Sequence, residues 1–293
     1  MVGAKVVIGV HDLLPFHLPE HFPDFMPDVT RRWFETALSL ADQFVCVSAA
    51  VADDVIRFGN ALWSGGKPIQ VDFFHNAADI AASLPSRGRP KNVETILERL
   101  REVRTFLMVG TLEPRKGHLQ VLAAFERLRR EGVDVNLVII GKKGWMVDEL
   151  ADRIERSDQL NKSLFWLSGI SDELLDEIYS ISAALIAASA GEGFGLPLIE
   201  AARHGTPLIV RDIKVFREVA GQHAFYFEGS TPEGLARSLS EWIALDEAGN
   251  APQSTAMPYQ TWSQSSDQLW SRIRTDDHYG LIGREALAGK QDR

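Results

Sequence analysis

The feature that most limits what this chain can fold into is a rhythm between residues 105 and 227. Six short apolar or β-branched runs follow one another: TFLMVG (105–110), VNLVIIG (135–141), LFWLSG (164–169), AALIAAS (183–189), PLIVRD (207–212) and AFYF (224–227). Amphipathic helical patterns separate most of them. In HLQVLAAFERLRREG, Leu119, Leu122, Ala123 and Leu128 fall near one helical face, with Gly132 as a stop. Ser171 is placed to N-cap SDELLDEIYSI, which has acids in its first turn. PLIEAARHG has Pro197 at the first helical position and Gly205 after the last turn, and Thr231 and Pro232 repeat the pattern. Strands alternating with helices predict an α/β fold, a complete Rossmann-type unit with a parallel doubly wound sheet over about residues 104–245.

The first 80 residues read as part of a second such unit. AKVVIGV (4–10), QFVCVS (43–48) and PIQVDFF (68–74) read as strands, with helices at RRWFETALSLA and AAVADDVIRFG between them. Three strands are half of a full dinucleotide-type sheet. The expected layout is a partial N-terminal domain over 1–83, a linker over 84–103 signalled by the Pro-, Gly-, Ser- and Arg-rich stretch 81–92, and a C-terminal domain over 104–255. A helix over 256–275 and a frayed tail over 276–293 complete the reading. The 293 residues allow two domains. A net charge of -9 argues against nucleic acid, whose phosphates need a basic face. No run approaches the roughly 18 apolar residues of a membrane span, and the first residues do not have the pattern of a secretion signal. The lone Cys46, inside FVCVS, rules out an internal disulfide and reads as a buried thiol in a reducing cytoplasm.

In a parallel sheet, ligands bind beyond the carboxyl ends of the strands. Three loops on that edge carry unusual chemistry. VGTLEPRKGH (109–118) puts Arg115 and Lys116 at the mouth of a helix, an anion site by charge and by dipole. Two solvated cations in a turn would give the same pattern. It matches neither a Walker loop nor GxGxxG. GKKGWM (141–146) adds Lys142 and Lys143, a pair that solvation alone would also explain. The third loop, SAGEGFGLPLIE (189–200), removes side chains at Gly191, Gly193 and Gly195, so something can approach its backbone closely. Glu192 lies in this loop and Glu200 in the first turn of the following helix, with seven residues between them. A carboxylate accepts two hydroxyl hydrogen bonds, which suits a vicinal diol. Complementing the helix dipole would account for Glu200 but not for the glycines. Cationic loops facing an acidic, glycine-rich one describe a nucleotide-sugar site.

GTLEPRKG, VIIGKKGW, LSGISDELLDEIYS and EGFGLPLIEAARHGTP, in that order, resemble the retaining glycosyltransferases of family 4. The resemblance runs from about residue 5 to residue 272. It implies a GT-B fold of two Rossmann-like domains, with the donor mostly on the C-terminal one. It implies that Glu200 binds the nucleotide ribose, that Glu192 contacts the transferred sugar, and that Arg115 and Lys116 hold the diphosphate. Gly110, Thr111, Lys142, Lys143, Gly193, Phe194, Gly195 and Leu196 complete the donor set, and Ile170 stands where the chain passes the nucleobase or simply packs in the core. His11, in VIGVHDLLPFHLPEHF, matches a histidine that reaches into the cleft, although the residue pattern alone favours a satisfied loop histidine. EPRKG is similar to mannosyltransferase-like members that build bacterial surface polysaccharides, which favours GDP-mannose as donor substrate. The implied acceptor is a glycan or lipid-linked saccharide, met at the inner face of the membrane by peripheral contact. By the same resemblance the chain begins near the middle of the family's N-terminal domain, so a glycine-rich loop and most of the acceptor surface are missing. Thr111 stands where many members carry arginine, and HNAAD (75–79) where they show a glycine-aspartate turn.

No Asp-x-Asp pair occurs, so metal and cofactor are both expected to be none. Fixed cations and helix N-termini would then stabilise the leaving diphosphate, with transfer on the retained face. Two other readings stay open: a non-catalytic GT-B fragment that binds a nucleotide sugar or a partner, and a nucleotide-sugar epimerase, against which EPRKG argues.

Overall fold

The computed structural model describes residues 4–78, 85–90 and 93–283. Its strands are β1 (Val7–Val10), β2 (Gln43–Cys46), β3 (Ile69–Phe73), β4 (Thr105–Val109), β5 (Asn136–Ile140), β6 (Leu164–Leu167), β7 (Ala184–Ala187), β8 (Leu208–Arg211), β9 (Phe225–Phe227) and β10 (Gly280–Ile282). The helices are α1 (Leu14–His17), α2 (Met26–Leu40), α3 (Ala49–Leu62), α4 (Val93–Glu102), α5 (His118–Arg130), α6 (Asp148–Glu155), α7 (Asp172–Ile181), α8 (Leu196–Arg203), α9 (Lys214–Ala220), α10 (Pro232–Glu247) and α11 (Trp262–Arg274).

The six runs of the middle region form one sheet in the order β6-β5-β4-β7-β8-β9. Every pairing in it is parallel, with Thr105 opposite Asn136 and Leu185 opposite Leu208. All five residues of β5 are buried, as expected when helices cover both faces of a parallel sheet. The strand order reverses between β4 and β7. That point is where a doubly wound sheet opens a crevice at the carboxyl ends of its strands.

The caps read from sequence are present. Ser171 accepts from the Leu174 amide and Thr231 from the Gly234 amide, and Gly132 and Gly205 take positive φ after α5 and α8. The phase of α5 differs from expectation: Val121, Leu122, Ala124, Phe125 and Leu128 are buried, whereas Leu119 is 54% exposed. The helix turns its polar Gln120 inward instead, because the Gln120 amide bonds the carbonyls of Gly229 and Thr231.

The smaller sheet has the order β1-β2-β3-β10, the first three strands parallel and β10 antiparallel to β3. Two elements depart from the sequence reading. Residues 93–102, inside the expected linker, form α4, whose Leu97 and Leu100 are buried. Residues 280–282, inside the expected tail, are strand β10, and Ile282 is fully buried against Gly59. Gly59 is what admits it, since a Cβ there would lie 2.5 Å from Ile282 Cδ1. Among the described residues β1 pairs only with β2, and none pairs with its outer edge. Helix α11 returns to this sheet: Gln43 Nε2 donates to the Arg272 carbonyl at 2.8 Å and Ser265 Oγ to the His75 carbonyl at 2.7 Å. Among the described residues no helix is long and apolar enough to cross a membrane.

Candidate active site

The loops after β4 and β7 meet at the switch point of the larger sheet. After β4, Gly110 takes φ +139° and the chain makes a short 3-10 turn over Pro114–Lys116. Gly117, at φ +73°, then starts α5. It sits against β7's exit, for a Cβ on Gly117 would lie 2.4 Å from the Ala188 carbonyl oxygen. The loop is locked to its partner by Ala190, whose amide donates to the Arg115 carbonyl at 2.7 Å.

This closure carries Arg115 and Lys116 directly onto Glu192. Lys116 Nζ is 2.5 Å from Glu192 Oε1 and Arg115 Nη1 is 3.0 Å from Oε2. Ser189 Oγ donates to Oε1 at 2.7 Å. Only 11% of the Glu192 side chain is exposed. Burial pushes its carboxyl upward, but Lys116 and Arg115 outweigh burial and hold it below the usual carboxylate range. Arg115 in turn pairs with Glu113 at 2.9 Å. Glu113 has the opposite balance: burial prevails over Arg115 and Lys116, and its carboxyl is raised. Two cations and two carboxylates, Glu192 held low and Glu113 raised, thus share a largely buried corner beside the N-terminus of α5.

Glu200 lies in α8. Because the helix begins at Leu196, with Pro197 second, Glu200 falls in the second turn and not the first. Gly195, at φ +98°, makes the entry to the helix. The buried Tyr179 hydroxyl donates to Glu200 Oε2 at 2.8 Å. Tyr179 stacks on His204 with ring centroids 5.5 Å apart, and His204 Nε2 lies 3.1 Å from Asp176. Burial raises the Glu200 carboxyl, although the Tyr179 hydrogen bond opposes it.

The glycines of this loop have a use that sequence did not identify. A Cβ on Gly193 would lie 2.1 Å from the His11 carbonyl oxygen, and one on Gly191 2.7 Å from Leu18 Cδ1. What approaches the backbone is the chain's own smaller unit, packed through the loop after β1. Ser48 Oγ reinforces the contact by donating to the Gly193 carbonyl at 2.7 Å. From α9, Glu218 accepts from the amides of Ala49 and Ala50, at 2.7 and 2.9 Å, and lies 2.7 Å from His75 Nε2.

The remaining predicted residues divide. His11 places its backbone in the interface, and its side chain is exposed. Gly110 lies beside Lys116, with its would-be Cβ 3.6 Å from Lys116 Cε. Lys142 and Thr111 are exposed at the same loop edge. Lys143 instead pairs with Asp148 at 2.5 Å. Phe194 is buried and packs against His75, Leu196 is exposed, and Ile170 is half-buried against the core.

The profile of the "Glycosyl transferases group 1" family matches residues 92–256. The chain belongs to that family. Among curated proteins it is 48% identical over 274 residues to an Escherichia coli serotype-specific mannosyltransferase WbdA, an alignment covering 92% of this chain and 34% of that protein. It is 26% identical over 246 residues to the Salmonella typhimurium O-antigen chain mannosyltransferase RfbU, covering 82% of this chain and 62% of that one. The chain therefore spans about a third of the length of the WbdA proteins it matches. Among solved structures it is similar to Anabaena HepE in complex with UDP and glucose, with TM-score 0.68 and 18% identity, covering 92% of this chain and 71% of that chain. It is similar in the same way to the sucrose-phosphate synthase of Thermosynechococcus elongatus, with TM-score 0.69 and 17% identity, covering 92% and 67%. These likenesses establish the GT-B fold.

Several residues that shape this corner were not identified from the sequence. Glu113 and Ser189 hold Arg115 and Glu192 but sit between stronger motif residues. Tyr179 lies 21 positions from Glu200, within an ordinary amphipathic helix. Ser48 has a signal, because a serine before AAVADDV is a good N-cap, and it accepts from the Val51 amide at 3.2 Å. Its second bond, to Gly193, is long-range. Ser48→Ala loses both, and is expected to lower unfolding free energy by ~1–2 kcal/mol. Denaturant titration measures this, and an unchanged midpoint would show that neither bond contributes.

Proposed function

We propose that this chain carries the donor half of a retaining glycosyltransferase that moves a hexose, mannose by preference, from GDP to a glycan or lipid-linked acceptor without a metal ion. The observation that carries the reading is the buried Lys116–Glu192–Arg115 cluster at the switch point. Arg115, Lys116 and the N-terminus of α5 would grip the diphosphate. The backbone of residues 193–196 and the Glu192 carboxylate would hold the sugar, with His11 entering from the smaller unit. Glu200 would read the ribose diol. In the transfer, the bond from the anomeric carbon to the phosphate oxygen breaks and a bond to the acceptor oxygen forms on the same face. The acceptor's proton passes to the departing phosphate, so the protein supplies no nucleophile. Fixed cations stabilise the charge that builds on the leaving group. The lack of any Asp-x-Asp pair supports working without a metal, and the mannosyltransferase names of the relatives support the sugar.

Calorimetric or thermal-shift titration with GDP, UDP, ADP and their sugars tests the donor. A ligand at 100 times its Kd is expected to stabilise the fold by about 2.7 kcal/mol. Failure of every nucleotide to bind would refute the reading. The anomeric configuration of the product by NMR, and activity in the presence of a chelator, test retention and metal independence. A second reading, a module that binds donor without transferring, is favoured by the outer edge of β1, with which no described residue pairs. Donor hydrolysis or transfer measured with and without an added N-terminal half separates the two.

The Tyr179 hydroxyl fixes one Glu200 oxygen, and no hydrogen bond among the described residues uses the other, which would be open to ligand. Tyr179→Phe is expected to raise the Kd of GDP about tenfold while leaving the Kd of pyrophosphate, which has no ribose, unchanged. Equal losses for both ligands would assign Tyr179 to general folding.

A further inference from the structure

We infer that Arg211 supplies the surplus positive charge for the donor's diphosphate, acting from behind the first turn of α5; this rests on the donor reading above. The charge balance around the site leads there. Arg115 and Lys116 face two carboxylates, Glu113 and Glu192, so their corner carries no net charge when both carboxylates are ionised. His118, the first residue of α5, is buried and adds none. Burial, and then Lys116, push its imidazole down to about 3, so it is neutral. Lys143 is taken by Asp148, and Lys142 is exposed, where water and salt screen it. A diphosphate brings negative charge into this corner, and a further cation must offset it.

Arg211 ends β8 and is partly buried. Its Nε and Nη2 donate to the Ala188 carbonyl at 3.1 and 2.9 Å. Nη2 also donates to Gln120 Oε1 at 2.5 Å, and Nη1 to the Gly229 carbonyl. The guanidinium carbon lies 5.3 Å from the centroid of the Phe227 ring. Every one of these partners is neutral, and no carboxylate pairs with Arg211 among the described residues. Burial alone moves its pKa, downward, the direction of a cation without a counter-ion. Such a charge costs stability. A ligand that brings the counter-charge recovers that cost on binding.

The guanidinium is fixed where its field reaches the corner. Ala188 is fully buried and lines the small cavity shared by Lys116, His118 and Glu192. The same Ala188 oxygen that accepts from Arg211 lies 2.4 Å from the Cβ position of Gly117. Arg211 and the residue after Lys116 therefore meet at one carbonyl. Gln120 holds the guanidinium from the first turn of α5. Arg211 makes no hydrogen bond to Lys116 or Glu192 among the described residues, so it is a positioning residue that acts through its charge. In a partly buried setting that charge keeps more of its strength than one in water.

The test is calorimetry on the full chain with guanosine, GDP and inorganic pyrophosphate as probes. Arg211→Gln removes the charge. It is expected to weaken GDP and pyrophosphate about tenfold each and to leave guanosine within about twofold. Arg211→Lys keeps the charge and loses the fork, so pyrophosphate should stay within about threefold of wild type. Gln120→Glu sets a carboxylate against the guanidinium, and should weaken pyrophosphate about tenfold with Arg211 still in place. Melting curves check folding, and Gln120→Glu decides the matter where Arg211→Gln does not fold. A role confined to holding the loops gives a different pattern: Arg211→Lys as weak as Arg211→Gln, guanosine lost in step, and Gln120→Glu without effect. That pattern, or pyrophosphate binding unchanged in Arg211→Gln, overturns the proposal. Failure of wild type to bind GDP overturns the donor reading itself and is seen separately.

Discussion

Lys116→Ala is expected to lower kcat/KM by ~10² or more, with most of the loss in kcat. Lys116 Nζ sits 2.5 Å from Glu192, at the mouth of α5. Its ammonium has two tasks there. It neutralises a carboxylate that is almost wholly buried, and it would face the diphosphate as charge develops on the leaving oxygen. Alanine leaves Arg115 as the only cation paired with Glu192 among the described residues, so the depressed Glu192 carboxyl should move upward. Lys116→Arg keeps the charge, but its planar fork cannot reproduce a point contact, and partial recovery is expected. Steady-state transfer kinetics on the donor decide the matter. Turnover within a few-fold of wild type in Lys116→Ala would remove this residue from the chemistry.

The second large effect is expected from Gly193→Ala. A Cβ there would lie 2.1 Å from the His11 carbonyl oxygen, which is backbone and cannot rotate away. The loop and the smaller unit must separate by more than an ångström, breaking the Ser48 bond to the Gly193 carbonyl. Overpacking of this kind costs ~1–3 kcal/mol. The greater loss should be functional, because the same shift moves Glu192, one residue away, out of register with Lys116. Activity is expected to fall ~10²-fold or more, in line with misplacement by about an ångström of the carboxylate proposed to hold the sugar. Melting temperature and transfer rate are measured together. A wild-type rate in Gly193→Ala would show that this interface does not position the site.

How far the chain could be read depended on the range of the interactions. The strands from β4 to β9 were legible because each is a β-branched or apolar run bounded by polar helices, and parallel sheets demand such runs. The pairing of Arg115 and Lys116 with Glu192 followed in outline from the rule that loops gather at one sheet edge. β10 was not legible: GLI is three residues long, follows the acidic TDDHY, and owes its strand state to β3. α4 was hidden by the Pro- and Arg-rich residues in front of it. The inward face of α5 was misjudged because Gln120 is buried by its bonds to carbonyls at 229 and 231, which no local pattern announces. Gly191 and Gly193 signalled a close approach, but their partners, Leu18 and His11, are distant in sequence, so the nature of the approach needed coordinates.

The antiparallel strand β10 is supplied by residues 280–282, while the three strands it joins lie within residues 7–73. On a ribosome, residues 105–227 emerge before that last strand does, and domains generally fold as units during synthesis. The larger sheet can therefore be complete while the smaller one still waits for its final piece. Ile282 then enters the groove at Gly59 after the larger sheet has been made, so the sheet whose parallel strands are translated earlier is completed later.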